Sequence, residues 1–125
     1  MPIILSHIKI IMLLSGGITC TMALALFAPE LALKLTFGDS ISGPIAEIVT
    51  RNWGALIAIT GGMLIYGALN EDYRRFVLVI ASVSKIIFIT LVVSIGAQYL
   101  GTAFLAVVFD SIVVLLFILY LINNR

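Results

Sequence analysis

The chain has 125 residues, of which 62% are hydrophobic and 10% are charged, and its mean hydropathy is +1.26. Soluble domains are about 45–50% apolar and about 25% charged, so this composition excludes a water-soluble protein and makes the lipid bilayer the expected partner. The net charge of +1 comes from scattered basic residues, which excludes a cationic surface for nucleic acid.

The first apolar run covers residues 8–28 and ends at Pro29, which cannot continue a helix. A membrane span needs about 20 apolar residues, so we interpret this run as the first span and not as a cleaved signal peptide. Residues 29–43 mix leucines with Glu30 and Lys34 before a Gly-Asp-Ser turn. This pattern predicts a short outer segment, helix or loop, at the membrane interface.

Three more runs are long enough to cross a bilayer. A helix is expected to start near Pro44, where Ser42 is a candidate cap, and a polar turn is expected at 70–75. The last turn is expected around Leu100. The three spans are predicted over residues 44–69, 76–98 and 102–122. The sequence therefore predicts an all-α fold with one transmembrane domain over residues 1–125, a four-helix bundle with the outer segment between helices 1 and 2.

The basic residues that flank the spans predict an orientation. Four spans place both termini and the 70–75 turn on one side, which carries the basic residues Lys9, Arg74, Arg75 and Arg125. The opposite side carries Lys34 and Arg51. By the positive-inside rule, both termini are expected to be cytoplasmic.

Two opposite charges, Lys85 and Asp110, lie inside the last two apolar runs. A charge at the bilayer centre costs about 3 kcal/mol even on translocon-insertion scales, so it persists only where a partner, water or a function compensates for it. With the turn at Leu100, Lys85 lies fifteen residues before it and Asp110 ten after it. The two backbones would then differ in depth by about 7.5 Å, at about 1.5 Å per residue. Three arrangements remain open: a stretched bridge within the chain, a water-mediated contact, or a bridge between subunits.

Two hypotheses explain this charge pair. In the preferred one, Lys85 and Asp110 form a structural lock that orients two helices and fixes their register. In the other, they are a proton or ion relay in a transport pathway. Replacing both residues with apolar ones separates the hypotheses, because loss of an activity from an intact assembly would contradict a purely structural role.

A polar cluster is predicted at the outer end of the second span, where Glu47, Arg51, Asn52 and Trp53 are close in sequence. The simpler interpretation is an i, i+4 ion pair between Glu47 and Arg51, with Trp53 as an interfacial anchor. The alternative is an outer vestibule in which Arg51 and Asn52 bind an anionic headgroup or a small acid.

Small residues recur along the second span at Gly54, Ala58 and Gly62. Such a stripe lets helix backbones approach closely. Packing within the chain is the preferred interpretation, and a homo-oligomer contact would use the same surface.

The sequence contains few side chains that could act in catalysis or bind a metal. His7 is the single histidine and Cys20 the single cysteine, so neither a metal site nor a dithiol site is expected from one chain. No catalytic residues and no cofactor are predicted. No nucleophile and base pair or phosphate loop is present in the sequence.

The layout resembles a known group of small membrane proteins. Pro29-Glu30 after the first span and Arg51-Asn52-Trp53-Gly54 before a glycine-rich second span are similar to the bacterial DoxX-like and DUF4345-type proteins. The resemblance implies a four-helix fold in a bacterial inner membrane and does not imply a reaction. Some members of this group accompany quinone-linked thiosulfate oxidation.

Three functional classes follow, in order of preference. The first is a non-catalytic module, a structural or accessory subunit that packs with itself or with a partner. The second is a small oligomeric channel or transporter for protons, ions or small anions that uses Lys85 and Asp110. The third is a quinone- or lipid-handling subunit of a membrane enzyme.

Overall fold

A computed structural model describes residues 2–123, and their side chains from residue 6 onward. Its helices, in chain order, are α1 (Pro2–Cys20), α2 (Leu24–Phe27), α3 (Pro29–Phe37), α4 (Pro44–Leu69), α5 (Glu71–Ser94) and α6 (Leu100–Asn123), with short 3₁₀ turns at Thr21–Ala23 and Ala97–Tyr99. Four helical stretches are long and apolar enough to cross a membrane: Ser6–Phe27, Pro44–Leu69, Glu71–Ser94 and Ala97–Asn123. The predicted all-α bundle with four spans is confirmed.

The four spans form a closed ring of neighbours. α1 packs on α4, α4 on α5, α5 on α6, and α6 returns to α1. Large apolar side chains such as Leu14, Ile59, Val83 and Leu115 remain exposed on the outside of the ring. Such a surface suits lipid, since a bilayer solvates apolar side chains that water would not. Arg125, one of the basic residues behind the predicted orientation, lies outside the described residues.

The outer segment contains a helix. Ala28 has φ −137° and ψ 71°, which breaks the first span because the residue before a proline avoids helical geometry. Pro29 then starts α3, and Gly38 ends it in the left-handed conformation at φ 80°. The next span starts at Pro44, where the cap residue is Gly43 with no side-chain bond, so the expected Ser42 cap is wrong.

The turn between α4 and α5 is a single residue, Asn70, and not the six-residue turn that the sequence predicted. Arg74 makes this tight turn feasible, because its guanidinium donates to the carbonyl oxygens of Gly67 at 3.1 Å and Ala68 at 2.7 Å. These carbonyls at the end of α4 have no helical partner of their own. Arg75 similarly donates to the Leu121 carbonyl of α6 at 3.1 Å.

Replacing Arg74 with Ala is expected to lower the free energy of unfolding by about 1–3 kcal/mol, because two helix-end carbonyls lose their partner in a low-dielectric setting. The Arg74 side chain is only 11% exposed, so water does not readily replace it. Reversible unfolding in mixed micelles measures the change. Lys9→Ala removes an exposed cation from the same end of the bundle and is the control. Equal losses for both variants would contradict the capping role.

The turn between α5 and α6 also differs from the prediction. The third span ends at Ser94 and not at residue 98, and the fourth helix already begins at Leu100. Lys85 therefore lies nine residues before the end of α5, and Asp110 ten residues after the start of α6. At about 1.5 Å per residue, the two backbones differ in depth by about 1.5 Å. The predicted offset of more than one helical turn is wrong.

The core of the bundle lies in the half that contains the chain termini, which we call the terminal half. Its largest fully buried side chains are Met12, Leu64, Leu78 and Phe117, one from each spanning helix. The opposite half, which we call the α3 half, is bounded by α3 and by the turn between α5 and α6. The terminal half is thus tightly packed, and Lys85 and Asp110 lie between this core and the α3 half.

Candidate functional site: the buried charge pair and its cavity

Lys85 and Asp110 form a direct salt bridge within one chain. Lys85 Nζ lies 2.7 Å from Asp110 Oδ1, and the two side chains are 8% and 16% exposed. Of the three arrangements open from the sequence, this is the intrachain bridge, and it is unstretched because the two residues lie at nearly the same depth. Each buried charge therefore has its compensating partner on the neighbouring helix.

A third helix completes the environment of Lys85. The ammonium lies 3.5 Å from Thr19 Oγ1 of α1, and Thr19 donates its own hydroxyl hydrogen to the Ser15 carbonyl at 2.6 Å. The Thr19 oxygen therefore presents its lone pairs to the lysine. The ammonium also lies 5.5 Å from the centroid of the Phe109 ring, within the range of a cation–π contact. The charge pair thus links α1, α5 and α6.

Ser82, one helical turn before Lys85, is buried in the same region. Its hydroxyl oxygen is fully enclosed and has no hydrogen-bond partner among the described residues. Ser82 is 5% exposed and makes no hydrogen bond to the ion pair. Ser82 is therefore a neighbour of the pair and not part of it.

A cavity of about 300 Å³ lies beside the pair in the α3 half of the bundle. This volume is at the lower end of the range for small-molecule sites, about 300–1,000 Å³. All four spans and α3 contribute to its walls, which are mostly apolar. Its lining includes Thr19, Thr36, Trp53, Ile57, Thr60, Ser84, Lys85, Phe88, Leu105, Phe109 and Asp110. An apolar cavity with a few convergent polar groups is the usual form of a ligand site.

A second cavity of about 490 Å³ lies next to the first, toward α3 and the turn between α5 and α6. Trp53 and Phe88 line both cavities and so form the wall between them. Phe37 of α3 packs on this wall, with ring centroids 6.2 Å from Trp53 and 6.4 Å from Phe88. It also contacts Tyr99 edge-on at 5.9 Å. These four rings position α3 over the open half of the bundle.

The predicted outer cluster is brought together only in part. Arg51 and Glu47 form the expected i, i+4 ion pair at 2.7 Å. Arg51 also donates to the Leu26 carbonyl, which the break at Ala28 leaves without a helical partner. Asn52 is exposed. Three of the Arg51 N–H groups are thus engaged by Glu47 and Leu26, and Arg51 links α4 to the end of α2.

Trp53 belongs to the Lys85 cavity and not to the Arg51 cluster. A signal for this was present in the sequence, because Trp53, Ile57 and Thr60 recur at helical spacing and define one face of α4. Thr19 carried a weaker signal. It bonds to its own helix as expected for a threonine in a span, but nothing in the sequence brought it to Lys85.

Only part of the predicted small-residue stripe packs within the chain. Gly54 packs against Ala25, and the Ala58 carbonyl accepts a weak bond from the Cys20 thiol at 3.6 Å. Gly62 is exposed with open space beside it, so it takes no part in packing within the chain. α1 and α4 are instead in close backbone contact at Gly16 and Gly61, which the repeat of four residues did not select.

Among residues 2–123, no group of three or more His, Cys, Asp or Glu side chains is placed to hold a metal ion. Cys20 is a free thiol. No family model matches this sequence, and no curated protein or solved structure matches it either. The chain is therefore described by its own structure, as an integral membrane helical bundle with a buried Lys85–Asp110 salt bridge.

Proposed function

We propose that this chain is a non-catalytic integral membrane module, a structural or accessory subunit that packs with itself or with a partner. The observation that carries the proposal is the closed ion pair, in which Lys85 and Asp110 compensate each other at 2.7 Å. A satisfied pair at matched depth fixes the register of α5 on α6, and a contact to Thr19 extends the lock to α1.

The packing of the terminal half favours a structural module and argues against a channel. Met12, Leu64, Leu78 and Phe117 fill the terminal half of the bundle and are fully buried. An ion that reached Lys85 from the α3 half would meet this apolar core before it reached the other side. A relay would therefore require the core to open.

The proposed location is the bacterial inner membrane, with both termini in the cytoplasm. Lys9, Arg74 and Arg75 lie at the terminal end, while Lys34 and Arg51 lie at the α3 end, which follows the positive-inside bias. The proposal includes membership in the DoxX-like or DUF4345-type group, which the layout of the sequence suggests. The bacterial setting follows from that membership.

A proteoliposome flux assay at two pH values tests the proposal. We expect proton and small-anion flux no greater than in empty vesicles, because the packed core leaves no path. The double variant Lys85→Met with Asp110→Leu is the matched control, and it should give the same baseline. Flux that appears with the native protein and disappears with this variant would contradict the module and support a transporter.

A further inference from the structure

We propose that the cavity beside the Lys85–Asp110 pair is a binding site for an uncharged amphiphile with a hydroxyl group at its polar end, taken up from the bilayer. This inference goes beyond the proposed function, because a structural lock needs no ligand. It rests on three properties of the cavity: its net charge, the hydrogen-bonding state of its polar groups, and its opening.

The net charge of the site selects a neutral ligand. Lys85 and Asp110 cancel each other, and they are the only charged side chains among the residues that line the cavity. A carboxylate or an ammonium group on the ligand would add an uncompensated charge to a water-poor site, which is costly. Lipid acids and amines are therefore disfavoured relative to neutral compounds of the same length.

The hydrogen-bonding state of the threonines selects a donor. Thr19 donates its hydroxyl hydrogen to the Ser15 carbonyl, Thr21 donates to Ile18, and Thr60 donates to Leu56. All three residues line the cavity, and their hydroxyl oxygens retain lone pairs that accept hydrogen bonds. Asp110 adds a carboxylate, which only accepts. The Lys85 ammonium also lines the cavity and donates, so a ligand hydroxyl, which both donates and accepts, can pair with the threonine oxygens as well as with the lysine.

The opening of the cavity faces the bilayer. Ile18 of α1 and Leu105 of α6 line it and are 52% and 77% exposed on the outer surface of the bundle. We therefore place the entry route of the ligand from the lipid phase between these two exposed side chains. Phe88 and Ile57 provide apolar walls for the tail, and the fully buried Phe117 and Met12 belong to the packed core that closes the terminal half. The amphiphile is therefore a membrane-soluble one.

Trp53 offers a direct readout, because it is the one tryptophan of the chain and lines the cavity. The experiment uses the full chain in lipid nanodiscs and titrates dodecanol derivatives that carry a terminal bromine, which quenches tryptophan fluorescence at short range. Four probes share one chain and differ only at the polar end: the alcohol, its methyl ether, the acid and the amine. We expect saturable quenching by the alcohol, and affinities lower by about threefold to tenfold for the ether, which lacks the donor.

Thr60→Val tests the polar contact without removing the charge pair. It replaces an acceptor in the cavity by a methyl group, and we expect it to weaken binding of the alcohol by about threefold to tenfold while leaving the ether unchanged. Ser94→Ala is the matched control, since Ser94 makes the same kind of bond to its own helix, to the Thr90 carbonyl at 2.6 Å, outside the cavity. It should bind the alcohol like the native chain.

Two results would overturn the proposal. Equal quenching by all four probes would show partition into the surrounding lipid and not binding at a donor-selective site. Unchanged selectivity for the alcohol in Thr60→Val, with the same affinity as in Ser94→Ala, would show that the cavity oxygens do not hold the hydroxyl. Either result leaves the flux assay of the proposed function unaffected, so the two proposals fail separately.

Discussion

Lys85→Met alone is expected to lower the free energy of unfolding by about 3 kcal/mol, the lower end of the cost of breaking a buried ion pair. The reason is that Asp110 would remain at the centre of the bundle without its partner. Its side chain is only 16% exposed, and the Thr19 hydroxyl hydrogen is already donated to the Ser15 carbonyl, so Thr19 does not compensate the carboxylate. Asp110→Leu should have a similar effect, since it leaves the Lys85 ammonium unpaired.

The double variant, Lys85→Met with Asp110→Leu, should recover most of this loss. Replacement of a buried pair by apolar residues of similar volume is often neutral or stabilising, because no desolvated charge remains. The large coupling between two separately damaging substitutions identifies a direct interaction. Unfolding in mixed micelles with increasing sodium dodecyl sulfate gives the four free energies.

Ser82→Ala is the control for this cycle, because Ser82 is buried one turn from Lys85 and its hydroxyl has no partner among the described residues. It should be neutral or slightly stabilising. If the double variant lost as much stability as the two single variants added together, Lys85 and Asp110 would be acting independently, and the lock would be refuted.

Gly61→Ala is expected to destabilise the bundle by about 3 kcal/mol, the upper end of the cost of overpacking. A Cβ at Gly61 would lie 2.7 Å from the Gly16 carbonyl oxygen and 2.8 Å from the Cys20 amide nitrogen. Both are backbone atoms of α1, so α1 and α4 would have to move apart. A flexible side chain cannot relieve this contact.

The adjacent glycine is a matched control. A Cβ added at Gly62 would meet no atom within 4 Å, and the residue is exposed, so Gly62→Ala should leave the stability unchanged or raise it slightly. The same unfolding assay compares the two variants. An effect of Gly62→Ala as large as that of Gly61→Ala would contradict the assignment of the α1–α4 backbone contact to Gly61 and not to Gly62.

The sequence predicted the spans well where helix boundaries have chemical signals. Residues 44–69 match α4 because Pro44 starts the helix and a polar residue follows Leu69. At the last turn the one helix-end signal is Gly96, which follows the cap residue Ile95, and apolar residues continue on both sides of it. Hydropathy does not distinguish an apolar turn from an apolar span, so the predicted turn was displaced by several residues, and the depth of Lys85 relative to Asp110 was wrong with it.

The charge pair was visible in the sequence because a charge inside an apolar run is conspicuous, whereas its surroundings were not. Thr19 and Phe109 reach Lys85 through the packing of three helices, which no local pattern encodes. The same limit applies to the glycines. The repeat of four residues selected Gly62, but the crossing of α1 and α4 places Gly61 at the contact, because the contacting face depends on helix rotation.

The central claim is that Lys85 and Asp110 bridge within one chain, and solid-state nuclear magnetic resonance tests it most directly. The sample is protein with ¹⁵N-labelled lysine and ¹³C-labelled aspartate, diluted into an excess of unlabelled chain in lipid. We expect a transferred signal between the lysine ammonium and the aspartate carboxylate at direct-contact distance, lost in Lys85→Met. The claim would be contradicted if that signal vanished on dilution and appeared only when separately labelled chains were mixed, since the bridge would then join two subunits.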